Sequence, residues 1–331
     1  MNISNLRHLL KEAKRQQKAV IAIGVYDGNS ARLLNNTFNT LREERSLDER
    51  IHGMATFVSG YLVSASRGYP DMAILDASMM EAAFSGIWPN TGGIPTIVDI
   101  DTGFGLEAYT VREAGRRLHR AGVNCVQIED QQGDKTCGHM AGSLGSGKQV
   151  MDPHEFAAIK LRPLIDYSTS DEARTFDHDF LVMARTDSRA EHGLADALSR
   201  VKLYNQFGAE ILFVEAPQSN AELIEVGSKF HNDASAHMLA NMIEGSPKTP
   251  YHTVGELAKM GFSIVYYCIG SIFAANFGRG GMEAYFRSIL SGKDPVKEGV
   301  LPADSFERFN KYIGRGFAET TNAHYRGLIR H

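Results

Sequence analysis

The chain has 331 residues, 43% of them hydrophobic, and carries a formal net charge of −4 at pH 7. This composition can build one large core, and the weak negative charge gives no electrostatic reason to expect a nucleic acid or a membrane as partner. Its cysteines, Cys125, Cys137 and Cys268, are too few and too scattered for a disulfide framework, so we expect a reducing cytoplasm or an organelle matrix. Cys125 and Cys268 lie in strand-like runs and are interpreted as buried apolar residues.

Eight short apolar runs recur along the chain after a charged amphipathic segment that predicts a first helix over Asn2–Gln17. Each run is almost continuously apolar, which is typical of strands that are covered on both faces. Helix-like stretches lie between them, and those over 109–121, 194–207 and 253–260 end beside a glycine, a common helix C-cap. The predicted strands are Ala19–Ile23, Ala55–Val58, Ile94–Asp99, Cys125–Glu129, Phe180–Thr186, Ile211–Glu215, Met238–Asn241 and Ile264–Tyr267.

Eight strand–helix units without a break in composition predict one α/β domain over residues 1–331, a (β/α)8 TIM barrel with extra N- and C-terminal helices. An open doubly wound sheet is the alternative, since periodicity alone does not prove closure. Residues 35–53 lengthen the first crossover and are interpreted as a solvated helix extension. Residues 281–331 form a further helical extension that could pack on its own barrel or on a neighbouring subunit. Its apolar residues Tyr285, Phe286, Ile289 and Leu290 recur at helical spacing.

Polar side chains end six of the predicted strands, where a closed barrel of this type has its active site. One such residue could be a helix cap or a turn residue, but several on one rim are harder to explain structurally. Converging acids repel unless a cation lies among them, and acids on two consecutive strands suit a hard divalent cation held partly through water. The residues are Ser59, Asp99, Asp101, Glu129, Arg185, Glu215 and Asn241.

The loop after the fourth strand carries Lys135, Cys137 and His139. Lys135 and His139 would favour the thiolate of Cys137, which makes it a candidate acid, base or nucleophile; an incidental exposed cysteine is the other interpretation. The small residues that follow predict a mobile lid. This segment nearly matches a phosphate-binding P-loop, but Gln149 replaces the hydroxyl residue and no strand precedes it, which argues against nucleotide hydrolysis.

The segments DIDTGFG, IEDQ, KTCGHM, MARTD, FVEA and LANM, in this order, resemble the isocitrate lyase and phosphoenolpyruvate mutase superfamily. The closer likeness is to the branch with methylisocitrate lyase, dimethylmalate lyase, oxaloacetate hydrolase and carboxyphosphonoenolpyruvate mutase. This resemblance implies a (β/α)8 barrel, a gating loop, a stabilised enolate, and Mg²⁺ with Mn²⁺ as the alternative. It also implies a homotetramer or homodimer in which the C-terminal helix, and with it the four apolar residues of 281–331, packs against another subunit.

Carried over by position, the resemblance implies that Asp99 binds magnesium directly while Asp101 and Glu129 hold its waters. Cys137, with Lys135 nearby, would protonate the enolate carbon after bond cleavage. The other implied positions are Ser59, Gly60 and Arg185 on substrate carboxylate or phosphoryl oxygens, Glu215 and Asn241 in the pocket wall, Gly138 and His139 in the loop, and Asp71 near the metal.

Three features depart from the family pattern. Phe57 stands where the lyases often have tyrosine, so another base is needed if that tyrosine is the base, and Phe273 stands where methylisocitrate lyase has arginine. The proline that several relatives have near the lysine of the Cys137 loop has no counterpart here. The sequence therefore predicts a magnesium-dependent lyase that cleaves a carbon–carbon bond in a small 2-hydroxy or 2-keto dicarboxylate. Alternatives are oxaloacetate hydrolysis, cleavage of a P–C bond in a phosphonate of similar size, and a barrel that binds a ligand without turnover.

Overall fold

The computed structural model describes residues 5–132, 149–246 and 248–328. Eight parallel strands close into a barrel in their sequence order, which confirms the predicted (β/α)8 TIM barrel and rules out the open sheet. The strands are β1 (Ala19–Gly24), β2 (Ile51–Val58), β3 (Thr96–Asp99), β4 (Cys125–Glu129), β5 (Leu181–Thr186), β6 (Ile211–Val214), β7 (His237–Met242) and β8 (Ile264–Tyr267).

The strands are buried along their whole length, with one exception, because side chains fill the barrel on one face and helices cover the other. The exception is β2, where His52 and Gly53 are half-buried. These two residues interrupt the apolar run, so the sequence predicted this strand to begin at Ala55 although it begins at Ile51.

The helices have caps that the sequence partly indicated. Asp152 accepts hydrogen bonds from the amides of His154 and Glu155 and so caps the helix that begins at Pro153. A π-helical turn, Ala157–Leu161, follows that helix. The helices are α1 (Leu6–Arg15), α2 (Gly28–Glu43), α3 (Gly60–Ala65), α4 (Ala77–Ile87), α5 (Ala108–Ala121), α6 (Pro153–Phe156), α7 (Arg162–Ser168), α8 (Ser188–His192), α9 (Leu194–Gln206), α10 (Asn220–Ser228), α11 (Val254–Lys259), α12 (Gly270–Phe277), α13 (Gly281–Leu290), α14 (Ser305–Tyr312) and α15 (Arg315–Gly327).

The extra N-terminal helix, α1, packs on the starts of the strands, away from the predicted site. Leu6, Leu10 and Ala13 are buried against β1 and β2. Lys14 Nζ donates to three main-chain carbonyls of residues 230–236 at 2.6–2.7 Å. This helix therefore stabilises the N-terminal end of the barrel and leaves the other end for function.

The charged segment 35–53 is helical only in part, which corrects the predicted extension. Helix α2 ends at Glu43, and residues 44–50 form a loop. The Asp48 carboxylate accepts from the Arg50 amide at 2.7 Å, a local turn that competes with continued helix. The Asp48 amide donates to the Leu290 carbonyl at 2.9 Å, which fastens this loop beside α13.

The C-terminal extension contains two different kinds of helix. Tyr285, Phe286, Ile289 and Leu290 of α13 are buried within their own chain against α2 and α12, so the expectation that they face another subunit is wrong. Helical spacing indicates a buried face but does not identify what covers it. By contrast α15 has no buried residue, and Phe317 is 81% exposed. Within the described residues, no helix is long and apolar enough to cross a membrane.

Candidate active site

A pocket lies at the C-terminal ends of the strands, where a barrel of this type has its active site. Six of its lining residues were predicted from the sequence: Ser59, Asp71, Asp99, Arg185, Glu215 and Asn241. Phe57, noted in the sequence as the replacement for the family's tyrosine, also lines it. The sequence did not assign the remaining lining residues to the pocket, which are Tyr61, Gln127, Phe213, Ile243, Tyr266, Cys268 and Ile269.

Asp99, the last residue of β3, is oriented by three donors. The Gly60 amide, at the start of α3, donates to Oδ2 at 3.2 Å, and the Asp101 amide and Gln127 Nε2 each donate to Oδ1 at 3.2 Å. Asp101 has a φ of 50°, so the chain turns back and aims that amide at Asp99. Gln127 was missed by the sequence analysis, although a glutamine inside the apolar run of β4 was a detectable signal.

Arg185, near the end of β5, is surrounded by carboxylates. Its Nε and Nη2 donate to the two oxygens of Asp187 at 2.9 Å each, and Nη1 lies 3.2 Å from Glu129 Oε2. Glu215 Oε1 is 3.7 Å from Nη2. Burial alone would lower the pKa of Arg185, but the three carboxylates outweigh it and hold that pKa well above its ordinary value. The guanidinium is therefore a fixed cation.

Negative charge exceeds positive charge at this rim. Arg185 is the one cationic side chain among the described residues that line the pocket. Carboxylates in such excess repel each other unless a cation joins them, and hard oxygen ligands suit Mg²⁺ or Mn²⁺. The buried acids are Asp71, Asp99, Asp101, Glu129, Asp187 and Glu215.

The described acids do not form a ready cage of three metal-ligating side chains. An ion held by Asp99 and mostly by water, as the sequence suggested, needs no such cage. Asp101 and Glu129 lie just behind the lining residues, and the Glu129 amide donates to the Asp101 carbonyl at 3.0 Å. The Oε1 of Gln127 is buried beside Asp99 with no hydrogen-bond partner in the described structure, and it could accept from a water on such an ion. The residues present therefore fit a hydrated divalent cation.

The sequence profile of the phosphoenolpyruvate phosphomutase family matches residues 10–284. The chain belongs to this family. It is 32% identical to 2,3-dimethylmalate lyase of Eubacterium barkeri over 307 residues, covering 92% of this chain and 93% of that protein. It is 36% identical over 308 residues to chloroplastic carboxyvinyl-carboxyphosphonate phosphorylmutase of Arabidopsis thaliana, covering 90% of this chain and 78% of the relative.

Among solved structures, oxaloacetate acetylhydrolase in complex with the inhibitor 3,3-difluorooxalacetate superposes with a TM-score of 0.66 and 25% identity. The match covers 98% of this chain and 97% of that one. Similar proteins of the phosphoenolpyruvate phosphomutase family thus bear the names of lyases, mutases and an acetylhydrolase. These names confirm the predicted superfamily and identify the chain as an enzyme of this group.

One side of the pocket is apolar, and this is where the chain departs from the family's tyrosine. The Phe57 ring stacks on Tyr266 with ring centroids 4.2 Å apart. The Tyr266 hydroxyl donates to Met183 Sδ at 3.4 Å inside the barrel, and burial raises its pKa well above the ordinary value. Neither ring therefore offers a base to the pocket.

Two residues after β8 are placed differently from the sequence interpretation. Phe273 does not line the pocket; it is fully buried and packs against Phe306 and Phe309 of α14. Cys268 is buried as predicted but is more than filler, because it lines the pocket and its Sγ donates to Asn241 Oδ1 at 3.2 Å. The wall near β8 is thus formed by Cys268 and Ile269, five and four residues earlier than the sequence suggested.

The predicted residues of the loop, Lys135, Cys137, Gly138 and His139, lie outside the described residues. The chain on either side is described. Gln131 and Val150 form an antiparallel bridge, and the Gln132 amide donates to the Gln149 carbonyl at 2.8 Å. The segment that carries Cys137 therefore leaves and re-enters the barrel at one place, next to Glu129.

Proposed function

We propose that this family member is a magnesium-dependent lyase that cleaves a carbon–carbon bond in a small 2-hydroxy or 2-oxo dicarboxylate. The observation that carries the proposal is the buried acidic rim around Asp99, with one fixed guanidinium, Arg185, beside it. A bound Mg²⁺, or Mn²⁺ in its place, would act as a Lewis acid on substrate oxygens. Asp99 would hold the ion, and Asp101 and Glu129 would hold its waters.

Side chains of the pocket bind the substrate and accept its hydroxyl proton. Arg185 pairs with a substrate carboxylate, helped by a polar contact from Ser59, and Asp71 and Asn241 complete the polar wall. The Gly60 amide, which the resemblance placed on the substrate, donates to Asp99 instead. As the C2–C3 bond of a 2-hydroxy substrate breaks, its electron pair stays on C3 and the C2 hydroxyl becomes a carbonyl. A 2-oxo substrate must first add water at C2, which supplies that hydroxyl. The hydroxyl proton passes to a pocket carboxylate such as Glu215, since Phe57 has no hydroxyl and that of Tyr266 points into the barrel.

The pocket's charge predicts which diacids are substrates. With Arg185 as the one cation among its described lining residues, a third carboxylate buried there would cost several kcal/mol. The apolar wall of Phe57, Phe213 and Ile243 suits alkyl substituents instead. The kcat/KM for 2,3-dimethylmalate or oxaloacetate should therefore exceed that for methylisocitrate by about 100-fold or more.

The experiment is a panel of these three diacids and a phosphonate analogue, with Mg²⁺ present and then removed by chelation. Release of a 2-oxo acid from 2,3-dimethylmalate supports the lyase. Release of oxalate from oxaloacetate, with no turnover of the other diacids, favours the hydrolase. Efficient turnover of methylisocitrate would contradict the charge argument. Absence of turnover on every member would leave the non-catalytic binding barrel as the better description.

Cys137 is the proposed proton donor to C3, with Lys135 and His139 stabilising its thiolate afterwards. Replacing Cys137 with serine should lower kcat by roughly 100-fold or more while the KM changes little, because a hydroxyl is a far weaker acid than a thiol. Steady-state kinetics on the best substrate measure both values. A raised KM at unchanged kcat would make Cys137 a substrate-binding residue.

We further propose that α15 packs on another copy of this chain in a homotetramer or homodimer. Its aromatic residues Phe317 and Tyr325 are 81% and 64% exposed, and Leu328 beside it is 61% exposed. Large exposed apolar side chains at helical spacing are typical of an interface. Light scattering should give a mass of two or four chains, and deletion of residues 315–331 should lower it. A monomeric mass for the full chain would contradict this proposal.

A further inference from the structure

Asp130, which follows β4, is fully buried, does not line the pocket and has no role in the steps above. Its Oδ2 accepts from the Thr186 hydroxyl at 2.7 Å, the Tyr204 hydroxyl at 2.8 Å and Arg200 Nη1 at 3.1 Å. Its Oδ1 accepts from the Asp187 amide at 3.0 Å. Burying a carboxylate costs free energy unless hydrogen bonds satisfy both of its oxygens. A buried charge network is by itself weak evidence that it stabilises the fold. The residues that these hydrogen bonds hold in place therefore indicate the role of Asp130.

The first thing that Asp130 holds is the backbone of Asp187. The Asp187 carboxylate in turn grips Arg185 through two bonds of 2.9 Å. The Asp130 amide also donates to the Arg185 carbonyl at 3.2 Å. A continuous set of short contacts thus runs from Asp130 through Asp187 to the guanidinium that faces the pocket.

The second part of the structure that Asp130 holds is the chain segment that follows residues 133–148. The Met151 amide donates to the Asp130 carbonyl at 2.8 Å, and Arg200 Nη1 donates to the Met151 carbonyl at 2.7 Å. Asp130 and Arg200 therefore clamp Met151 against the end of β4. Asp130 therefore contacts both Asp187, which holds Arg185, and Met151, which begins the returning chain segment.

We propose that Asp130 is a positioning residue of this enzyme, which aims Arg185 at the substrate carboxylate through Asp187. With Arg200, it also keeps Met151 at the edge of the site. The inference rests on the proposed function, because it assumes that Arg185 binds a substrate carboxylate.

The diagnostic variant is Asp130→Asn, which keeps the shape and removes one acceptor. Three side-chain donors converge on Oδ2, so the amide oxygen of asparagine will take that place and its NH2 will face the Asp187 amide. The variant therefore breaks the link to Asp187 selectively. A misplacement of Arg185 of about 1 Å should lower kcat/KM by about 100-fold.

Two controls separate positioning from stability. Tyr204→Phe removes one of the three donors on Oδ2 and leaves the Asp187 bond intact, so kcat/KM should stay within about threefold. Asp179→Asn alters a buried carboxylate that precedes the same strand, β5, at the opposite end of the barrel, where it accepts from the Arg7 amide at 2.7 Å and Asn124 Nδ2 at 3.1 Å. It should lower the melting temperature without changing kcat/KM.

The test measures kcat/KM, the Kd for 3,3-difluorooxaloacetate with Mg²⁺, and amide hydrogen exchange at Asp187 in each variant. For Asp130→Asn we expect a Kd raised at least about tenfold, faster exchange at Asp187, and a smaller effect of Arg185→Lys than in the unsubstituted protein. Two results would overturn the inference. One is a double variant whose loss of kcat/KM equals the product of the losses in Asp130→Asn and Arg185→Lys. The other is a Kd of Asp130→Asn equal to that of Asp179→Asn. Failure of the unsubstituted protein to bind the diacid would instead overturn the proposed function, and the role of Asp130 with it.

Discussion

Replacing Asp99 with alanine should abolish turnover and Mg²⁺ binding while the barrel remains folded. Both oxygens of Asp99 are oriented, by the amides of Gly60 and Asp101 and by Gln127. Losing a Lewis acid worth several kcal/mol lowers kcat by at least about 1000-fold. The donors left without an acceptor cost about 1–3 kcal/mol, which relief of repulsion among the remaining acids partly offsets.

Steady-state kinetics and isothermal titration with Mg²⁺ measure both effects, and circular dichroism reports the fold. Asp76→Ala is the matched control, since Asp76 is an exposed acid that caps α4 by accepting from the Met79 amide at 2.8 Å. That variant should lose about 1 kcal/mol of stability and keep its activity. Full activity of Asp99→Ala in the presence of a chelator would show that Asp99 is not the metal ligand.

The second large effect is expected at Arg185. Arg185→Leu leaves Glu129, Asp187 and Glu215 without their common cation, and breaking a buried ion pair on one side costs about 3–5 kcal/mol of unfolding free energy. It also removes the group that pairs with the substrate carboxylate, so the KM should rise at least about tenfold. Urea unfolding and kinetics measure the two losses.

Arg189→Leu is the matched control in the next helix. Arg189 makes a comparable fork to Glu222 at 2.9 and 2.6 Å, but both side chains keep partial contact with solvent. The control should cost no more than about 1 kcal/mol and leave the KM unchanged. Equal losses in the two variants would mean that Arg185 is an ordinary structural cation.

The barrel could be predicted from the sequence because its strands are short and covered on both faces. The predicted bounds of β4, Cys125–Glu129, are those of the structure. The predicted β2 was too short, because His52 and Gly53 interrupt the apolar run near its beginning. The acids at the rim could also be predicted, because they directly follow the apolar runs that form the strands.

Contacts between distant segments were not predictable, because a single sequence carries no pairing information. Asp130 directly follows Glu129, yet the two side chains have different partners. Asp130 contacts Arg200 and Tyr204 behind the pocket wall, and Glu129 contacts Arg185. The helical spacing of α13 was recognised, but it left open whether its own barrel or another subunit covers this helix. Phe273 was matched by resemblance to an arginine of methylisocitrate lyase, and only the packing of α14 revealed its actual neighbours.

The most direct test of the central claim is turnover of 2,3-dimethylmalate in D2O with Mg²⁺, followed by NMR of the product that contains the former C3. If the C2–C3 bond breaks with its electron pair left on C3, that carbon must take one hydron from the enzyme. The account predicts one deuterium at the former C3 of each product molecule, and no product after chelation of the metal. Product without deuterium at that carbon, or turnover that persists without a divalent cation, would contradict it.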